Sequence, residues 1–149
     1  MLKKWMLTLM AGLLALQLTA GEKVEWQTDA AKAQATAKAE NKLVLMDFTG
    51  SDWCVWCKKL NKEIFSTTEF TAYAAKNLVL VEVDFPKSKA QSAAQKEANQ
   101  NLAKKYKVQG YPTVIVLNGE GKMVGELGYM EGGPKAFLAE LAKLKKSAS

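Results

Sequence analysis

Cysteine occurs twice in this chain, at Cys54 and Cys57, and histidine does not occur at all. Two thiols three residues apart can exchange with a foreign disulfide: the thiolate of one attacks, and the other displaces what was captured. As a structural staple the pair is poorly placed, because so short a loop removes little unfolded-state entropy. The lack of histidine excludes Ser-His-Asp and Cys-His catalysis and any histidine metal site. Two cysteines cannot by themselves close a tetrahedral zinc site. No metal and no cofactor is therefore expected, although half of a metal site shared with another chain stays open. Lys58 follows Cys57, so the C-x-x-C-H signature of haem attachment fails.

The surroundings of the pair matter more than its spacing. Trp53-Cys54-Val55-Trp56-Cys57-Lys58-Lys59 follows the apolar run Lys42 to Phe48, which reads as a buried central strand. Thr49-Gly50-Ser51-Asp52 breaks that run, and a helix is predicted to begin near Cys54. At a helix N-terminus the first amide N–H groups are unpaired and the dipole is positive, which lowers a thiol's pKa from about 8.5 toward or below neutrality. Cys57 lies one turn on, on the same face. Cys54 is thus the candidate nucleophile and Cys57 the candidate resolving thiol. Asp47 is an acid inside the buried strand, where an unpaired carboxyl tends to hold its proton. A purely structural Asp47, hydrogen-bonded to backbone, is the competing reading. Trp56, between the cysteines, reads equally as a partner contact or as core.

The remaining elements are those that must position this pair. Asp29 caps a predicted helix to about Asn41, and Ser66 with Glu69 has the spacing of a capping box for a helix through Lys76. Leu78 to Phe85 is a second buried strand, ended by Pro86. An exposed helix is expected from about Gln91 to Tyr106, then a strand from Thr113 to Leu117. Asn118-Gly119-Glu120-Gly121 is a hairpin turn returning Lys122 to Leu127 antiparallel. Pro134 opens a last amphipathic helix to about Lys146. Strands alternating with helices, then a hairpin and a final helix, indicate an α/β domain with a mixed central sheet flanked by helices.

Met1 to Ala20 has the pattern of a secretory signal: Lys3 and Lys4, an apolar stretch from Trp5 to Leu18, then small residues. The expected division is a signal peptide at 1–20 and one domain at 21–149, exported to the periplasm or otherwise out of the cytoplasm. The apolar run of about 14 residues is short of the roughly 20 that span a bilayer. No stable membrane insertion is expected after cleavage; an uncleaved anchor is the alternative. The net charge is +6, but all 21 basic residues are lysines scattered among 15 acids. Nucleic-acid readers lean on arginine's planar fork, so no nucleic-acid partner is expected.

W-C-x-x-C after a strand containing Asp47, with Val108 to Thr113 reading V-x-G-Y-P-T, resembles the thioredoxin superfamily. The run FTGSDWCVWCKKL is similar to exported bacterial thioredoxin-like proteins, including the C-terminal domain of the membrane thiol:disulfide interchange reductases. The resemblance spans about Glu25 to Lys145. It implies a thioredoxin fold of β1-α1-β2-α2-β3-α3-β4-β5-α4 topology, with a short first strand near Val24 to Thr28. It further implies a cis Tyr111-Pro112 bond facing the cysteines, Asp47 as a proton acceptor beneath Cys57, and Trp53, Tyr111 and Pro112 as substrate-binding residues. The loop before Trp53 carries one residue more than in thioredoxins. The activity implied is thiol-disulfide exchange with disulfide- or thiol-containing proteins, run mainly as a reductase by a monomer, with a membrane protein as a possible electron donor. A disulfide oxidase or isomerase, and a thioredoxin-fold binding module without turnover, are the alternatives.

Overall fold

The computed structural model describes residues 24–149; the expected signal segment lies outside them. Strands β2 (Leu43–Thr49) and β3 (Leu78–Asp84) are apolar runs buried almost throughout, as strands covered on both faces must be. They pair in parallel. β1 (Trp26–Gln27) adds in parallel to β3, and β4 (Thr113–Leu117) and β5 (Met123–Leu127) add antiparallel beyond β2. The sheet order is β1-β3-β2-β4-β5. The hairpin between β4 and β5 closes through Asn118, whose N–H donates to the Lys122 carbonyl at 2.9 Å, with Gly121 at φ 81°.

Helices cover both faces. On one side Val44, Met46, Phe48, Val79, Val81 and Val83 pack under α1 (Ala30–Glu40) and α4 (Ala93–Lys105). Ala33 and Ala37 are fully buried, so α1 lies close against the sheet through its smallest side chains. On the other side Leu43, Leu45, Leu78 and Leu80 meet Leu60, Phe70, Phe137 and Leu141. These belong to α2 (Val55–Leu60), α3 (Thr68–Asn77) and α5 (Gly133–Ser147). Phe70 and Phe137 are wholly buried, and truncating either to alanine is worth about 3–5 kcal/mol.

The capping box at Ser66 and Glu69 does not form. α2 continues into a π-helical segment, Asn61–Phe65, whose wider turn buries both Ile64 and Phe65. That segment takes up Ser66, whose N–H donates to the Asn61 carbonyl at 2.8 Å. The cap falls one residue later, on Thr67, whose hydroxyl accepts from the Phe70 N–H. The helical pieces expected near Cys54 and up to Lys76 are thus separate helices, so the described residues hold five α-helices where the resemblance implied four. α4 likewise starts later than Gln91, because Ser92 caps it. It is not exposed throughout either: Asn99 is buried and donates to the Asp84 carbonyl at 2.9 Å.

Candidate active site

The loop after β2 delivers the cysteines. The N–H groups of Trp53 and Cys54 both turn back to the Gly50 carbonyl, at 3.2 and 2.8 Å, so α2 begins immediately after Cys54. Cys54 is itself the N-cap, with extended backbone, and its sulfur accepts from the Cys57 N–H at 3.2 Å. That is the place a serine or aspartate oxygen takes in an ordinary cap. Cys54 and Cys57 form a disulfide with Cα atoms 5.2 Å apart, and both are buried.

Three side chains of this loop tie it to the end of β3. Ser51 donates its N–H and hydroxyl to the Asp84 carboxylate, at 3.0 and 2.5 Å. Asp52 accepts from the N–H groups of Lys87, Ser88 and Lys89, and these bonds hold its carboxyl below the usual range. The Trp53 indole donates to the Phe85 carbonyl at 2.8 Å. The indole lies over Gly50, where a Cβ would meet its Cζ2 at 2.6 Å. Only glycine leaves room for it.

Tyr111-Pro112 is a cis peptide bond. The Tyr111 ring meets the Trp53 ring edge-on at 6.0 Å and stacks on Phe85 at 5.1 Å. Lys87 Nζ lies 4.1 Å from the Trp53 ring centre. Tyr111 is thus held against Trp53, the residue that precedes Cys54, with Pro112 next to it across the cis bond. Trp56 is 53% exposed, which settles it as surface and not core. Its ring lies 5.1 Å from that of Tyr129, Lys59 Nζ lies 4.9 Å from both ring centres, and the Tyr129 hydroxyl donates to Glu63 at 2.6 Å.

Asp47 stands on β2 between Val114 of β4 and Glu82 of β3. It is 8% exposed, and its Oδ1 has no hydrogen-bond partner. With Cys57, Thr49, Asn61, Phe65 and Glu82 it lines a cavity of about 230 Å³ behind the disulfide. The longer loop before Trp53 therefore leaves Asp47 and Cys57 on one cavity. Burial first, then the charges of Glu82 and Asp84, push the Asp47 carboxyl up to about 7. Among the described residues no group of three or more His, Cys, Asp or Glu is arranged to hold a metal ion.

Sequence reasoning missed Glu82, Tyr129, Lys59, Asp52 and Asp84. Glu82 carried a signal, being an acid inside an apolar strand as Asp47 is. Its meaning depends on the register between β2 and β3, which sequence does not give.

Residues 30–145 match the thioredoxin-like domain family. The chain belongs to that family. Within it, the disulfide bond reductase DsbH of Chlamydia pneumoniae is 35% identical over 127 residues, covering 85% of this chain and 76% of that protein. A solved structure of the DsbH oxidoreductase superposes with a TM-score of 0.80 at 34% identity, covering 90% of this chain and 92% of that one. The thiol:disulfide interchange protein DsbD of Klebsiella pneumoniae is 36% identical over 111 residues. That match takes in 72% of this chain but only 17% of DsbD, so the chain corresponds to one part of a much longer protein. This family member is thus a thioredoxin-fold chain of the DsbH-like thiol-disulfide oxidoreductase group, with Cys54 and Cys57 as its C-x-x-C pair.

Proposed function

We propose that this protein reduces disulfides of other proteins outside the cytoplasm, through Cys54 and Cys57. The observation that carries the reading is the Cys54 sulfur in the capping position of α2, where a thiolate gains the Cys57 amide and the helix's positive end. In the reduced protein that thiolate attacks one sulfur of the substrate, the substrate's S–S bond breaks, and its other sulfur leaves as a thiolate. Cys57 then loses its proton toward Asp47 and attacks the Cys54 sulfur. The Cys54–Cys57 bond forms as the bond to the substrate breaks, and the substrate departs with two more electrons and both thiols free.

Substrate binds as an extended segment along Tyr111 and Pro112, with Trp53 beside it. Both cysteines, Asp47 and that segment come from one chain, so a monomer suffices. The oxidised pair is returned to dithiol by an electron donor, for which a membrane protein is the class proposed. The basic and apolar start of the sequence supports export. The reducing direction draws support from two facts. Val55 and Trp56, the residues between the cysteines, bring no charge that would overstabilise the thiolate. The 35% identical relative is named a disulfide bond reductase.

Equilibration of the pair with glutathione buffers tests the direction. A reductase is expected to fall near thioredoxin, at about −270 mV; a value near about −120 mV would make the protein an oxidant and overturn the proposal.

A further inference from the structure

The sheet face beneath α2 changes character along its length. Leu43 and Leu45 of β2, with Leu78 and Leu80 of β3, are core. The next residues on that face are Asp47 and Glu82, which are register partners on adjacent parallel strands. Paired residues project to the same side at a strand spacing of about 4.8 Å, so the two carboxyls stand together on the wall of the cavity that Cys57 shares. Little neutralises them. Of the elements packed around Asp47, β4 presents Val114 and β1 presents Trp26. The π-helical segment presents Asn61 and Phe65, and α2 presents Cys57 and the exposed Lys58. Asp84, two register pairs further on, is engaged by Ser51 and by Lys89 at 3.2 Å. Two like charges this close in a half-dry site do not both ionise freely.

We propose that Asp47 and Glu82 hold one proton between them and that Glu82, the half-exposed member, exchanges it with solvent, which makes Glu82 a positioning residue for proton transfer at Cys57. This rests on the reductase reading above. In the resolving step the Asp47 carboxylate takes the proton of the Cys57 thiol as that sulfur attacks Cys54. Glu82, which held the pair's proton, gives it to water and receives the one from Asp47, while the electron pair of the broken bond leaves with the substrate sulfur. The cavity is many times the roughly 30 Å³ that a water occupies and is lined by polar groups, so water can bridge any gap along the way. Burial and then the Glu82 charge raise Asp47, and burial and then the Asp84 charge raise Glu82, which Lys89 partly offsets.

The test is a carbon-detected NMR titration of the Asp47 carboxyl in the oxidised protein, where neither cysteine titrates. Glu82→Gln is expected to lower the Asp47 midpoint by about one pH unit or more, and Glu82→Ala to do the same. An unmoved midpoint in both variants overturns the proposal. A second readout starts from the Cys54 mixed disulfide with thionitrobenzoate and follows release of the coloured thiol against pH. The rising limb is expected to move to lower pH in Glu82→Gln by the same amount. In an Asp47→Asn background it should not move, because Glu82 acts through Asp47. Should the unmodified protein release no thiol at any pH, the reductase reading fails and the titration still decides the carboxyl pair. If release is normal and the Glu82→Gln limb overlays the parent's, the role given to Glu82 alone is wrong.

Discussion

The Cys54 sulfur sits 3.2 Å from the Cys57 amide nitrogen and caps the helix on which Cys57 lies. One atom therefore serves both the fold and the chemistry, and substitution separates the two. Cys54→Ser leaves an oxygen to cap α2, so its stability is expected within about 1 kcal/mol of the reduced parent. Its insulin-reduction rate should fall by about 10⁴-fold or more. Cys57→Ser should instead accumulate a mixed disulfide with the substrate, visible by non-reducing electrophoresis. Full activity in Cys54→Ser contradicts the assignment.

Asp47 predicts a pH-dependent stability. Its carboxyl is raised to about 7 in the fold and titrates near 3.8 when exposed. Between those values the native state holds a proton that the unfolded chain has lost, so stability falls as pH rises through that window. Asp47→Asn removes the cost of the buried charge. It is expected to be more stable than the parent at pH 8, by on the order of a few kcal/mol, and to lose that advantage below about pH 4. Denaturant midpoints at the two pH values check this; an equal difference at both contradicts it.

Gly50→Ala places a methyl group against an indole that is anchored at its nitrogen by the Phe85 carbonyl. The ring cannot swing away without breaking that bond. A loss of about 1–3 kcal/mol is expected from overpacking, with a change in tryptophan emission as Trp53 is displaced. Chemical denaturation with both signals recorded measures it, and a variant as stable as the parent with unchanged emission counts against the packing described.

Trp56 is exposed beside Tyr129 and beneath Lys59, so its ring contributes little to the core. Trp56→Ala is expected to cost no more than about 1 kcal/mol of stability. It should slow reduction of a protein disulfide several-fold while leaving a small aromatic disulfide reduced at the parent rate. Equal effects on both substrates would show that the ring acts on the thiols and not on the partner.

Much of this site was legible before any coordinates. The turn at Thr49-Gly50-Ser51-Asp52 and the helix starting at Cys54 follow from a run of apolar residues meeting poor strand formers, and these are local signals. Asp47 stood out as an acid in that run. The cis bond before Pro112 came from family resemblance and from no local preference. Two things were hidden. The π-helical segment at Asn61–Phe65 has no composition of its own; it exists because tertiary packing rewards burying Ile64 and Phe65 together. The pairing of Glu82 with Asp47 is a fact of register between strands 35 residues apart, which no reading of either strand alone supplies.

The central claim is that the start of α2 makes Cys54 an unusually acidic thiol, and the pH dependence of its alkylation tests that most directly. Reduced protein treated with iodoacetamide, with the modified cysteine identified by mass spectrometry, is expected to react at Cys54 with a midpoint near about pH 7. A midpoint near about 8.5, the value of a free peptide thiol, would contradict the account.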